Sequence, residues 1–274
     1  MQAEERWQAL GWRHAVWDLV RYFCALARSR TQQAKFVEDL RRQASMTVGR
    51  ESTLAIPRED VTLFLSYLEA RETQLTAALS RLRDEKEALE LCSRNGWSVE
   101  ATTTQSQDHH QSSKALIAAV SNIATRVVSR RGLTLEANPQ SRCVWLERNQ
   151  LHVTARNLDG AIPGLTNPRV VWEIKEYWGK TSGGSKMSDA VYECNLVGRE
   201  LREYEERSRV QVEHVVFVDG REQWHARKSD LARFVDLLNQ GLINALLVGR
   251  DVETDWERSL GEMLDRAGLG AKRG

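Results

Sequence analysis

The 274 residues are 41% hydrophobic, and 39 Lys plus Arg stand against 38 Asp plus Glu. That is enough apolar material for one sizeable core, and the charge balance excludes a global field drawing the chain onto nucleic acid or an anionic membrane. Cys24, Cys92, Cys143 and Cys194 form no CxxC pair and no apolar run suits a signal peptide or a bilayer span, so the expectation is a reduced, cytoplasmic protein without a zinc knuckle or membrane association.

Residues 4–45 read as helical, with apolar residues at Leu10, Val16, Trp17, Val20, Phe23, Cys24 and Leu26. A break follows, and Pro57 with Glu59 and Asp60 marks a new helix start, acids in its first turn. The next stretch contains no helix breaker, and Leu68, Leu75, Leu82 and Leu89 recur every seven residues. The charged companion positions Arg71, Glu72, Glu85 and Lys86 make a poor coiled-coil seam. The pattern predicts one long helix that packs within its own domain, or that also dimerises. Residues 1–97 are thus expected to be an all-α N-terminal domain for dimerisation, partner docking or DNA recognition. Residues 98–113 are polar and read as a linker; Asp108-His109-His110 within them lacks the apolar strand that would present a phosphoesterase triplet.

From residue 114 to 274 the texture changes. A helix over 114–130 presents Leu116, Ile117, Val120, Ile123, Ala124, Val127 and Val128. Three extended runs follow, "CVWLE", "LHVTARNLD" and "RVVWEIKEYW", then a helix over about 188–207, a strand in "VEHVVFVDG", a helix in "SDLARFVDLLNQG" and a strand in "LINALLVG". Ser229 or Asp230 is expected to cap that last helix and Gly241 to end it. Adjacent strands followed by β-α-β crossovers predict an α/β fold, a mixed sheet flanked by helices.

Inside the third extended run, Glu173 and Lys175 share one face of an otherwise apolar and aromatic strand, and Asp159-Gly160 ends the stretch before it. Charges are rarely buried without a partner or a metal. Two carboxylates on neighbouring strands, with the Ile174 carbonyl between the charged pair, suit a hard cation that keeps several waters. A lysine beside them suits a phosphodiester reaction. The residues leave a second reading open: an exposed edge strand with Glu173 and Lys175 in water and Asp159-Gly160 in a hairpin turn.

Asp159, the tripeptide Glu173-Ile174-Lys175 and the αβββαβ order over 114–219 resemble the PD-(D/E)xK nuclease superfamily, the restriction-endonuclease-like fold. The resemblance covers about the last 160 residues. It implies catalysis by Asp159, Glu173 and Lys175, with Mg2+ held by Asp159, Glu173 and the Ile174 carbonyl, and Mn2+ able to substitute. It implies an endodeoxyribonuclease in a restriction or anti-phage setting, DNA being favoured over RNA, acting as a homodimer or with a partner protein. The alternative is a non-cleaving nucleic-acid-binding or scaffold subunit of a defence or repair complex. Leu158 stands where the family name has proline, and the helix over 114–130 carries no acid; Glu136 or Glu147 is the candidate substitute. Glu193, on the helix after the motif strand, is a further accessory candidate. Lys180 and Lys186 in "GKTSGGSKMSD", with Tyr177, are candidate nucleic-acid contacts. His152, His214 and His225 are scattered, and His214 reads as a satisfied sheet histidine. Asp84-Glu85-Lys86 also fits D-x-K but falls in the predicted long helix.

Overall fold

The computed structural model describes all residues except 28, 49–51, 102–112, 148, 180–183 and 271–274; Asp108-His109-His110 and Lys180 lie outside the described residues. The stretch that reads as helical, residues 4–45, holds three helices: α1 (Glu5–Gln8), α2 (Val16–Ala25) and α3 (Arg30–Gln43). Gly11 turns the chain at φ 73° and its carbonyl accepts the Trp17 indole N–H, while Ser29 caps α3 by accepting the Gln32 amide. The region is not all-α either. Within the break in the helical pattern, β1 (Ser45–Val48) and β2 (Ser52–Ala55) pair antiparallel, a pairing favoured by their threonines and valine.

Helix α4 (Arg58–Arg81) starts after Pro57, as expected. It does not run on to residue 92. Leu82 is extended, and Asp84 begins α5 (Glu85–Arg94) with a capping box in which Asp84 accepts the Glu87 amide and Glu87 accepts the Asp84 amide. The leucine ladder is consequently split. Leu75 and Leu82 are buried in the core, while Leu89 on α5 is 38% exposed. No continuous seam is left for a coiled coil along this stretch. Instead α4 is an internal strut: Val61, Phe64 and Tyr67 pack with α2 and α3, and Leu75, Ala78 and Leu82 join the core under the main sheet.

The remainder runs α6 (Ala115–Ser129), β3 (Glu136–Ala137), β4 (Val144–Glu147), β5 (Gln150–Val153), β6 (Gly160–Ile162), β7 (Val170–Glu176), α7 (Gly184–Ser208), β8 (Glu213–Asp219), α8 (Arg221–Ala226), α9 (Lys228–Asn239), β9 (Ala245–Val248), α10 (Asp251–Thr254) and α11 (Trp256–Arg266). Five strands form a mixed sheet in the order β3-β6-β7-β8-β9, antiparallel from β3 to β7 and parallel from β7 to β9. Two of the three strands expected before α7 lie elsewhere. β4 and β5 pair with each other as a separate hairpin, whose inner face carries Trp145 against Tyr204. Short β3 and β6 take their places. Ser229 and Asp230 lie within α9 rather than capping it; Asp230 accepts from Arg227 and Ser188, and Gly241 follows the helix at φ 73°.

Helices cover both faces of the sheet. Val170, Trp172, Val215, Phe217, Ala245 and Leu247 pack against α6 and α11. Val216, Val218 and Leu246 pack against α7 and α9, and Val171 packs against α7. This alternation places Glu173 and Lys175 under α7, on the third of five strands. The exposed-edge reading is thereby excluded: Glu173 is 1% and Lys175 6% exposed.

Candidate active site

Asp159 sits immediately before β6. Its amide donates to the Trp172 carbonyl at 2.9 Å, and its Oδ2 accepts the Ile174 amide at 2.6 Å. These are the two peptide groups that flank Glu173, so one residue of the preceding connection grips the motif strand on either side of its acid. Gly160 makes the approach feasible, since a Cβ there would lie 1.9 Å from the Trp172 ring. The N–H and C=O of an extended residue point to the same edge, so the Ile174 carbonyl faces the Asp159 side of β7.

On the α7 face, Lys175 Nζ donates to Glu173 Oε2 and to Glu193 Oε2, both at 2.9 Å. Arg156, three residues before Asp159, pairs with Glu193 and lies 3.8 Å from Glu173 Oε2. His214 enters from β8, its Nε2 3.3 Å from Glu173 Oε1 and its Nδ1 3.3 Å from the Leu242 carbonyl. The His214–Glu173 contact is within ion-pair distance but outside hydrogen-bond geometry, which leaves Oε1 of a buried carboxylate without a hydrogen-bond donor among the described residues.

The electrostatics follow from burial set against these partners. Burial alone would raise the Glu173 carboxyl, but the Lys175 ammonium and then His214 outweigh it and hold Glu173 well below the usual carboxylate range. Burial likewise works to lower Lys175, and Glu173 overrides it, so the ammonium stays charged. Asp159 is pushed up, chiefly by burial, against the opposing Ile174 amide and Lys175. Cys194, beneath the cluster on α7, is raised well above an ordinary thiol by burial and by the Glu173 charge, which leaves it a packing residue.

The structure therefore brings together Asp159, Glu173, Lys175 and Glu193 from the expected set, and adds Arg156 and His214. His214 carried a readable signal: it stands on the neighbouring strand, on the face of Glu173. Nothing in the local sequence marks Arg156. Glu136 is exposed on β3, opposite Ala161, in the row of Val171 rather than of Glu173. Glu147 lies on the separate hairpin and accepts from the Tyr204 hydroxyl. The Tyr177 ring packs against Trp224 and its hydroxyl donates to the Lys186 carbonyl, while the Lys186 side chain is exposed.

Among the described residues no three His, Cys, Asp or Glu side chains converge as a ready-made metal cage. The donor set suits a hard cation nonetheless: Asp159, the unsatisfied Oε1 of Glu173 and the Ile174 carbonyl are all oxygens, and magnesium needs few protein ligands because it retains water.

Residues 76–263, more than two thirds of the chain, match the model of a domain of unknown function, DUF7687. The chain belongs to the DUF7687 family. The DUF7687 match begins within α4 and ends within α11, so it contains every residue of the cluster and leaves out α1–α3. No curated protein and no solved structure matches the chain.

Proposed function

We propose that this protein is a metal-dependent nuclease that hydrolyses phosphodiester bonds, DNA being the favoured substrate. The observation that supports the reading best is the grip of Asp159 on both peptide groups flanking Glu173, with buried Lys175 paired to that acid. Asp159, Glu173 and the Ile174 carbonyl would hold the cation, which supplies a water of lowered pKa and charge neutralisation at the phosphate. Lys175 is kept cationic by Glu173 and pinned by Glu193, so its ammonium is preorganised for charge that develops on the phosphorane. Glu193 orients Lys175 and Arg156 rather than acting on substrate itself.

A non-cleaving subunit is the second reading. It is favoured by the degree to which Glu173 is already compensated by its ion pair with Lys175. Supercoiled plasmid incubated with the purified full-length chain and Mg2+, Mn2+ or EDTA separates the two. The nuclease reading expects nicked or linear DNA with either ion and none with EDTA; intact plasmid under every condition leaves the non-cleaving subunit.

A further inference from the structure

Of the two cations in the cluster, Lys175 is fixed in β7 and buried between two carboxylates. Arg156 comes from the connection between β5 and β6 and keeps 32% of its side chain exposed. It leans on Glu193 and Glu173, yet its Nε is shielded from water without a hydrogen-bond partner among the described residues. Three carboxylates, Asp159, Glu173 and Glu193, thus share two cations, and only Arg156 keeps a substantial part of its side chain in solvent.

Resting on the nuclease reading, we infer that Arg156 is a resident counter-ion. It lies beside Glu173 in the free protein, competes with a divalent ion for the charge of that carboxylate, and, once displaced, offers its guanidinium to a substrate phosphate. Guanidinium does not lose its proton in proteins, so it cannot neutralise itself when a dication enters and must move. Its planar fork matches phosphate oxygens two at a time, and the cluster opens to solvent where Arg156 stands. Ion and phosphate binding are then coupled, each favouring the other through the same side chain.

The test is Mn2+ binding by electron paramagnetic resonance to the full-length chain, comparing wild type with Arg156→Gln and Arg156→Lys. A short DNA duplex is titrated in parallel in Ca2+, and circular dichroism checks the fold. Loss of the competing charge should tighten Mn2+ about tenfold in Arg156→Gln, on the order expected for one like charge removed from a partly solvated site. Duplex affinity in Ca2+ should fall by a similar factor. Arg156→Lys, which keeps the charge, should hold Mn2+ within about threefold of wild type. Wild-type or weaker Mn2+ affinity in folded Arg156→Gln overturns the counter-ion role and leaves the metal reading standing. A large tightening in Arg156→Lys overturns it too, because charge would not be the cause. Absence of Mn2+ binding in all three proteins overturns the metal reading and this inference with it.

Discussion

Lys175 Nζ lies 2.9 Å from Glu173 Oε2 under α7, a strand-internal ion pair in a layer whose core is largely hydrophobic. Such a pair is costly to bury and costlier to break, because removing one partner leaves the other charge uncompensated.

Glu173→Gln and Lys175→Met should therefore each destabilise the protein by about 3–5 kcal/mol. The double variant should lose less than the sum, with a coupling of at least about 1 kcal/mol. Urea denaturation of the four proteins measures the cycle, and strict additivity would show that the pair is not coupled in the native state.

Asp159→Asn is the cleaner probe of chemistry. The amide oxygen can still accept the Ile174 N–H, and the substitution removes a charge whose burial is unfavourable. The metal-free protein should melt at the wild-type temperature or slightly above it, with a stability gain of at most about 1 kcal/mol. Metal-dependent cleavage should fall at least about 100-fold. A variant that cuts at the wild-type rate would remove Asp159 from the site.

Glu176 ends β7 on the opposite face, where its Oε2 accepts from the Leu116 amide and the Trp178 indole. Burial pushes its carboxyl up to about 8, despite those two donors. A proton held more tightly in the folded than in the unfolded chain contributes stability that is complete below the unfolded value near 4.5 and is lost as pH rises through about 8. Wild type and Glu176→Gln should thus have similar stability near pH 5. At pH 9 the glutamine variant should be more stable by roughly 2–4 kcal/mol, allowing for partial solvent access. Differential scanning calorimetry across that range checks the sign; a difference that does not change with pH would refute it.

Arg83, between α4 and α5, places its Nε 2.8 Å from Asp219 Oδ2 and its amide 2.8 Å from Oδ1, both residues fully buried at the end of β8. A further nitrogen reaches Glu253 at 2.9 Å. Arg83→Met should destabilise by about 3–5 kcal/mol. A chain beginning at residue 105 loses Arg83 together with the apolar cover that α4 and α5 supply, so it should unfold without a cooperative transition. Two-state denaturation of that shortened chain would show that the sheet does not need its N-terminal strut.

What the sequence by itself determined is periodic or local. Alternation in 170–176 set Glu173 and Lys175 on one face and Trp172 and Ile174 on the other, and the structure has them so. An apolar stripe set α6, a β-branched run set β8 and a short apolar run set β9. The break at Asp84 was equally local, since Asp84 and Glu87 spell a capping box, but an unbroken run of helix formers outweighed it. Tertiary structure decided whatever depends on distance along the chain. Nothing in "LHVTARNLD" says that β5 leaves the sheet to pair with β4, because pairing energy belongs to both partners. Nothing near Leu75 says that it faces a sheet more than a hundred residues away rather than a second copy. The site divides in the same way. Asp159, Glu173 and Lys175 were legible because strand geometry brings near neighbours together. Arg156 and His214 join them only because a connecting loop and a parallel strand bring a guanidinium and an imidazole to a buried carboxylate.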